Sequence, residues 1–354
     1  MNKTYVLLLS VCLLILFNGP GLPVIPDLLS EAEAISLKNV FQQVNPAVVV
    51  VYTHEDSNFR VTPNTPIIKG NIGSGIVISK DGLVMTAAHV VQFADEVSVH
   101  FLDETQVMAK VVSSAQQADV ALLKLNEVPD NLHVAKFGNS DSVSIGDELF
   151  VVGAPYGLGH TLTVGHLSGR KMSIGVCNQL TPIEFLQTDA AINLGNSGGP
   201  MFNMNGELIG IVSHILSRSG GSEGLGFATS INTAKELLMN QESFWIGLEA
   251  YLVTDELAKA LNVPQKAGLL IQRVANDSPG YKLGLRPGRI PVQIGREKFF
   301  IGGDIILEVQ GMPISTNVEE TCEIRDTMGR IKHGKRVDFK VLRGGEIINL
   351  YISK

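Results

Sequence analysis

Short apolar segments separated by turn residues dominate the chain between residues 48 and 230. The segments at 48–51 and 120–125 are rich in β-branched or leucine residues, and a Lys-Asp-Gly turn at 80–82 is typical of the connections. A sustained helical period is almost absent from this stretch. Many short strands with Gly-containing turns indicate an antiparallel barrel or a pair of packed sheets.

The pattern predicts individual strands and two flanking helices. The predicted strands span residues 48–51, 74–79, 83–86, 96–101, 107–112, 120–125, 148–152 and 206–212. Apolar residues at helical spacing from Leu37 to Val44 predict a helix that Pro46 ends. A capping box from Thr233 to Glu236 predicts a helix that closes a first domain near residue 240.

The remaining stretch, 241–354, mixes strands with helices and predicts an α+β domain. Its predicted strands span 268–274, 304–309, 336–342 and 346–352, and its predicted helices span 255–261 and 317–328. A chain of 354 residues suits two domains.

Charge and composition exclude several classes of protein. The formal net charge of −7 disfavours a nucleic-acid reader, which needs a concentrated basic face. Charged residues make up 18% of the chain, so neither a disordered polymer nor a polytopic membrane protein is indicated. No Cys-x-x-Cys motif or His/Cys cluster suggests a metal, and no cofactor is implied.

The N-terminal segment, residues 1–34, directs export. Lys3 precedes an apolar run at 5–17, and the breakers Asn-Gly-Pro-Gly follow at 18–21. This order is typical of a cleaved signal peptide, although apolar residues 22–25 leave open a retained membrane anchor. Cys12 lies in this leader. Cys177 and Cys322 fall in different predicted domains, which favours two free, largely buried thiols over an interdomain disulfide.

Three polar residues stand out against their apolar surroundings. His89 follows a strand that ends in small residues, and Asp119 heads a strongly apolar strand, where a buried carboxylate needs a donor. Ser197 lies in the run Gly-Asn-Ser-Gly-Gly-Pro at 195–200, whose glycines permit a tight turn with inward N–H groups. A base near the serine and converging N–H groups are what a nucleophilic serine requires.

With these motifs, TAAHVV, ADVALLKL and TDAAINLGNSGGP, the chain resembles the HtrA/Deg family of trypsin-like serine proteases from residue 36 to 354. The resemblance implies a chymotrypsin-like double six-stranded antiparallel β-barrel at 35–240. It implies Ser197 as nucleophile, His89 as general base and Asp119 as the residue that orients the imidazole. The oxyanion hole would lie at Gly195, Asn196 and Ser197, with N–H groups from the first and last.

The substrate pocket is predicted from the same resemblance. Cleavage after Arg or Lys needs a carboxylate six residues before the nucleophile, where this chain has Ala191. The segments at 210–213 and 226–228 resemble pocket walls and suggest small or medium aliphatic side chains at the cleavage point. The implied pocket residues are Ala191, Ile211, Val212, Ser213 and Phe227.

The second domain, 241–354, resembles a PDZ domain. Trp245, Ile246, Gly247 and Leu248 resemble a carboxylate-binding loop, and a peptide C-terminus would add as a strand beside it against the helix at 317–328. An insertion at 289–301 departs from the family pattern. Its role is not evident from the sequence.

The resemblance implies an exported, ATP-independent serine endopeptidase of the periplasm or cell envelope that cleaves misfolded or regulatory proteins. Peptide C-termini bound by the PDZ domain would modulate its activity. A homotrimer, or a multiple of trimers, is expected from the resemblance alone. The alternatives are a catalytically idle peptide-binding or chaperone-like scaffold, and a regulatory protease anchored through residues 5–17.

Overall fold

The computed structural model describes residues 36–54, 70–157, 159–173, 182–240, 245–295, 297–332 and 334–353. The apolar run at 5–17 and the cysteines at 12 and 177 lie outside these ranges. Within the described residues, no helix is both long and apolar enough to cross a membrane.

Helix α1 (Leu37–Val44) precedes a closed six-stranded barrel. Pro46 lies in a short 3₁₀ turn and ends α1, as predicted, because it lacks the N–H that a continuing helix needs. The barrel contains β1 (Val48–His54), β2 (Ile72–Val77), β3 (Leu83–Thr86), β4 (Glu96–His100), β5 (Gln106–Ala115) and β6 (Val120–Leu125), in the order β1-β2-β3-β6-β5-β4. The short helix α2 (Ala88–Val91) follows β3. Valines such as Val49, Val77 and Val99 fill the interior of the barrel.

A second barrel follows. Its strands are β7 (Lys136–Phe137), β8 (Glu148–Gly153), β9 (Thr161–Ser173), β10 (Ile183–Thr188), β11 (Pro200–Asn203), β12 (Glu207–Ile215) and β13 (Gly226–Ser230). The order β11-β8-β9-β10-β13-β12 closes through the pairing of β11 with β12, and β7 adds in parallel beside β12. All pairings within the closed ring are antiparallel, which confirms the predicted double six-stranded barrel. The sequence reading had not identified β9, β10 or β13 as strands.

Helix α3 (Ile231–Lys235) closes the barrels, but it begins earlier than predicted. The side chain of Ser230 caps the helix by accepting a hydrogen bond from the Thr233 N–H, and a π-helical turn (Glu236–Asn240) follows. The expected capping box at Thr233 is therefore wrong. Strand β13 ends at Ser230, so the chain already turns into the helix there.

The described residues from 245 onward form an α+β region around a sheet that is separate from the two barrels. It contains β14 (Leu248–Thr254), α4 (Asp255–Ala260), β15 (Ala267–Val274), α5 (Pro279–Lys282), β16 (Ile290–Ile294), β17 (Glu297–Ile301), β18 (Ile305–Val309), β19 (Met312–Pro313), α6 (Val318–Arg330), β20 (Arg336–Arg343) and β21 (Glu346–Ser353). The sheet runs β14-β15-β18-β20-β21, with β19 beside β18. Strand β14 pairs only with β15 among the described strands, so its other edge is open.

The insertion at 289–301 is a β-hairpin made of β16 and β17. Gln272 of β15 attaches it, because its side chain accepts a hydrogen bond from the Phe300 N–H (2.6 Å) and donates one to the Phe300 carbonyl (3.0 Å). The buried side-chain amide of Gln272 thus makes the pair of hydrogen bonds to Phe300 that the backbone of a neighbouring strand would make.

Cys322 of α6 is disulfide-bonded, which corrects the expectation of a free thiol. The assignment of Cys177 and Cys322 to different predicted domains is what favoured free thiols over a disulfide.

Contacts between described residues join the α+β region to the first barrel. The N–H of Asn276 donates to Asp95 Oδ1 at 2.8 Å, and the Arg273 guanidinium lies 5.2 Å from the centre of the Phe93 ring. Phe93 and Asp95 come directly after α2.

Candidate active site

His89 lies on α2, and its imidazole faces the carboxylate of Asp119, which directly precedes β6. Its Nδ1 is 2.9 Å and 2.8 Å from the two carboxylate oxygens of Asp119, and its backbone N–H donates to Oδ1 at 3.0 Å. A carboxylate only accepts hydrogen bonds, so Nδ1 carries the proton and Nε2 presents a lone pair. The imidazole is half exposed, with 51% of its side chain accessible, whereas Asp119 is 19% accessible. This is the arrangement of a general base and its orienting carboxylate.

Asp119 reaches this position because the chain turns sharply before β6. A 3₁₀ turn (Gln116–Ala118) ends at Asp119, whose φ of 52° lies in the left-handed region that aspartate tolerates. The strand behind it is buried, as the sequence predicts.

The Asp119 carboxylate is ionised in a largely buried site. Burial is the largest influence on its pKa and would raise it, but the hydrogen bonds and charge of His89, together with a hydrogen bond from Ser213, outweigh burial and lower the pKa of Asp119. The carboxylate therefore keeps its negative charge beside the imidazole.

Ser213 joins the Asp119 carboxylate to Ser197 through hydrogen bonds. Its Oγ donates to Asp119 Oδ2 at 2.6 Å, and its carbonyl accepts a hydrogen bond from Ser197 Oγ at 3.3 Å. A β-bulge between Val212 and His214 places Ser213 out of register with β13, which explains how its hydroxyl reaches Asp119. The sequence suggested Ser213 only as a pocket residue.

His214 is a site residue that the sequence analysis did not identify. Its Nδ1 lies 2.9 Å from Ser213 Oγ, and its ring stacks on Phe227 with centroids 5.1 Å apart. Since the single hydroxyl proton of Ser213 goes to Asp119, Nδ1 of His214 is the donor in this pair. Burial lowers the pKa of His214; the Asp119 charge raises it and His89 lowers it further.

The loop at 193–200 carries the predicted nucleophile, Ser197, and is called the nucleophile loop below. It forms a tight turn before Ser197. The N–H of Asn196 donates to the Asn193 carbonyl at 3.0 Å, and Gly195 has φ +102° at the third position, as in a type II turn. In such a turn, the N–H of Gly195 points away from the Asn193 carbonyl. The backbone N–H of Asn196 is used inside the turn, so of the three residues expected at the oxyanion hole, Asn196 shapes the loop and does not present its N–H to a substrate.

The predicted pocket residues differ in how far they are exposed to solvent. Ile211 and Val212 are fully buried in the core, so their main chain rather than their side chains adjoins the site. Ala191 is exposed, and Ile192 beside it covers Gly226, where an added Cβ would lie 2.6 Å from Ile192 Cδ1. Both Ala191 and Ile192 are apolar.

The segment Trp245–Leu248 forms a bend at the start of β14. Gly247 has φ +70°, its carbonyl accepts from the Ala275 N–H at 2.9 Å, and the Ile246 carbonyl accepts from the Gly280 N–H at 2.9 Å. Ile246 and Leu248 pack in one apolar cluster with Ile324 and Met328 of α6. An apolar floor thus lies between the open edge of β14 and α6.

Within the part of the chain that the structure describes, no group of three or more His, Cys, Asp or Glu side chains is placed to hold a metal ion.

Comparison with known proteins shows where this architecture occurs. Residues 73–211 match the trypsin-like peptidase domain family. The HtrA-type protease AlgW, solved with a decapeptide, is 30% identical over 90% of this chain and 98% of its own, with a TM-score of 0.51. The chain belongs to the HtrA-type protease family.

Other HtrA-type relatives extend the comparison. AlgW solved with a tripeptide has the same identity and TM-score over 96% of its chain. Probable periplasmic DegP-like serine endoproteases of Pseudomonas putida and Halomonas elongata are both 36% identical, over 290 and 293 residues. These alignments cover 80% of this HtrA-type chain and 55% and 56% of the relatives, so the chain spans about half their length.

Proposed function

We propose that the chain is an ATP-independent serine endopeptidase whose triad is Ser197, His89 and Asp119. The observation that carries this proposal is the hydrogen-bonded series from His89 through Asp119 to Ser213, with the Ser197 hydroxyl on the Ser213 carbonyl. Membership of the HtrA-type family supports the same activity.

Catalysis begins with a rotation of the Ser197 side chain. In the resting structure, the Ser197 hydroxyl donates to the Ser213 carbonyl. A substrate that pairs with strand β12 would need this main-chain carbonyl as the acceptor for its own N–H. Substrate binding therefore competes for this acceptor. Rotation about the Cα–Cβ bond then brings Oγ to His89 Nε2, which takes its proton as Oγ attacks the scissile carbonyl.

The tetrahedral intermediate collapses when His89 returns the proton to the leaving amine, which leaves an acyl group on Ser197. Water then repeats the sequence, with His89 as base, and releases the carboxylic acid. Asp119 stays ionised throughout and stabilises the imidazolium. The N–H groups of Gly195 and Ser197 bind the oxyanion; one such donor contributes roughly 10²–10³ in turnover.

Small or medium aliphatic residues are the proposed preference at the cleavage point. Ala191 lies where a carboxylate would select lysine or arginine, and Ile192 fills space over Gly226. Both features favour a short apolar side chain. Preferred hydrolysis after lysine in a peptide library would contradict this preference.

The region 241–354 is proposed to be a PDZ domain that binds peptide C-termini. Support comes from the open edge of β14, the bend at Gly247 and the apolar floor shared with α6. A peptide would add as a strand to β14, its carboxylate at the bend and its last side chain on the floor.

The same region is proposed to modulate the protease through the first barrel. The Gly247 carbonyl is bonded to Ala275, and the next residue, Asn276, donates to Asp95 just beyond the helix that holds His89. A peptide that shifts the bend at Gly247 acts on this series of contacts. Two hydrogen bonds thus connect the proposed peptide site to the His89 segment.

Location, assembly and substrates remain proposals based on the family. Relatives named as periplasmic support an exported, periplasmic or envelope protein that cleaves unfolded or regulatory proteins, and the trimer stays an expectation. The test is hydrolysis of a reduced, unfolded protein and of its native form by the wild type and Ser197→Ala. Degradation restricted to the unfolded protein and lost in Ser197→Ala is expected; equal degradation by Ser197→Ala would refute the proposal.

A further inference from the structure

We propose that Ser74, a buried serine of β2 outside the triad, is a positioning residue that holds the oxyanion hole in its donating conformation. Its significance rests on the proposed protease activity. Ser74 lies between Gly73 and Gly75 and has no accessible surface.

Every polar atom of Ser74 is used, and three of its bonds reach the second barrel or the nucleophile loop. Its Oγ donates to the Gly195 carbonyl at 2.7 Å and accepts from the Ala154 N–H at 2.9 Å, while its N–H donates to the Ser197 carbonyl at 2.8 Å. Its own carbonyl accepts from Thr86 Oγ1 at 2.7 Å. Since Ala154 supplies a proton, the single Ser74 hydroxyl proton is directed at Gly195.

These bonds fix the peptide planes on either side of the Ser197 N–H. The plane that contains the Gly195 carbonyl is bonded at both ends, to Ser74 Oγ and, through the Asn196 N–H, to the Asn193 carbonyl. The plane that contains the Ser197 carbonyl is held by the Ser74 N–H. The intervening plane, which carries the Ser197 N–H, therefore has little freedom to rotate.

The same bonds hold the Gly195 N–H in place. The positive φ of Gly195 belongs to the type II turn, and rotation of the preceding peptide would convert that turn and withdraw the N–H. Anchoring the Gly195 carbonyl fixes the plane that follows Gly195, which is one of the two ends about which this rotation would turn. Ser74 also draws two carbonyl oxygens toward its own donors, so neither faces the negative charge that develops on the substrate.

The surroundings of Ser74 are closely packed. An added Cβ at Gly153 would lie 3.1 Å from Ser74 Oγ, one at Gly199 would lie 3.2 Å from Ser74 Cβ, and one at Gly73 would lie 3.0 Å from the Ser197 carbonyl. Loss of the hydroxyl would leave the Gly195 carbonyl and the Ala154 N–H unsatisfied.

The test is Ser74→Ala in the full chain, with Thr53→Val as the matched control. Thr53 is also buried in the first barrel, and its hydroxyl likewise donates to a carbonyl and accepts an N–H, both of Asn71. Ser74→Ala is expected to lower kcat about tenfold to a hundredfold with KM within threefold, since a misplaced oxyanion donor is less costly than a removed one. Thr53→Val should retain wild-type kcat.

A second readout separates positioning from general destabilisation. A peptide aldehyde forms an oxyanion on Ser197, whereas the matched peptide alcohol binds without one, so only the aldehyde inhibition constant should rise in Ser74→Ala, by the factor lost in kcat. If Ser74→Ala does not fold, Ser74→Cys preserves the shape with a weak donor and should show the same selective weakening.

Wild-type kcat in Ser74→Ala, or equal weakening of aldehyde and alcohol, would overturn the inference while leaving the proposed protease intact. A wild type that hydrolyses no better than Ser197→Ala would instead refute the protease and this inference with it.

Discussion

Ser213 Oγ donates a 2.6 Å hydrogen bond to Asp119 Oδ2, the same oxygen that lies 2.8 Å from His89 Nδ1. The Asp119 carboxylate therefore receives a hydrogen bond from each barrel, since Ser213 belongs to β12 of the second barrel and His89 lies on α2 of the first. The Asp119 side chain is fixed across the interface of the two barrels by this pair of bonds.

Ser213→Ala is expected to lower kcat about tenfold, because a hydrogen bond to a charged group contributes roughly 1.5–3 kcal/mol and part of this loss is recovered by His89. Ser213→Thr, which keeps the hydroxyl, is the control and should remain within threefold of the wild type. Steady-state hydrolysis of one peptide substrate measures both. Equal activities of the alanine and threonine variants would show that the bond to Asp119 is dispensable.

Gly198 tests the packing of the nucleophile loop. An added Cβ would lie 2.3 Å from the Ser74 carbonyl and 2.7 Å from the Ala87 nitrogen, and φ is +82°. Gly220 has a similar φ of +85°, but nothing lies within 4 Å of its added Cβ. Gly220→Ala is expected to reduce the free energy of unfolding by about 1 kcal/mol, from backbone strain alone.

Gly198→Ala is expected to reduce the free energy of unfolding by about 2–3 kcal/mol beyond that strain and to abolish hydrolysis. Urea unfolding of the two variants isolates the steric part, since both share the left-handed conformation. Equal losses would mean that the loop yields to the extra methyl group.

Asp95 tests the proposed coupling to the α+β region. Asp95→Ala removes the acceptor of the Asn276 N–H, so the effect of a hydrophobic C-terminal peptide on kcat/KM is expected to shrink toward none. Coupling between binding sites is reciprocal, and the preference of the peptide for phosphonylated over free enzyme should therefore shrink as well. An unchanged peptide response in Asp95→Ala would refute this route.

Three histidines predict how stability depends on pH. Burial lowers the pKa of His100, His160 and His214, whereas unfolded histidine has a pKa of about 6.5. As pH falls below about 6.5, the unfolded state binds protons first, so the free energy of unfolding decreases; above that pH these groups have no effect.

His160→Gln is expected to weaken this pH dependence by up to about 1.4 kcal/mol per pH unit, the value for one proton. The glutamine amide can still face Asn45 Oδ1, which lies 2.8 Å from His160 Nδ1. Urea unfolding at pH 7.5 and 5.5 measures the change, with His133→Gln as an exposed control. Identical slopes in the His160 variant and the wild type would contradict the assignment.

Apolar alternation and Gly-containing turns predicted an antiparallel barrel or a pair of packed sheets, because these are local signals. The resemblance to the HtrA/Deg family implied the double barrel and brought His89, Asp119 and Ser197 into one proposal. The sequence did not predict the Ser213 bond to Asp119, since a bulge in β12 directs that side chain. It did not indicate a role for Ser74 either, because its partner Gly195 lies 121 residues away.

The other errors have equally physical causes. The predicted cap at Thr233 failed because Ser230 already ends β13 and caps the helix. The sequence showed the insertion at 289–301 but not its structural role, because its attachment depends on the Gln272 side chain, which no local pattern reveals.

The most direct test of the account is to treat the full chain with a fluorophosphonate and locate the adduct by mass spectrometry, with Ser197→Ala as control. The account predicts one adduct, on Ser197, absent from the Ser197→Ala protein, and a labelling rate that a hydrophobic C-terminal peptide changes. An adduct on another serine, or no adduct with or without the peptide, would contradict the assignment of Ser197 as the nucleophile and favour a catalytically idle scaffold.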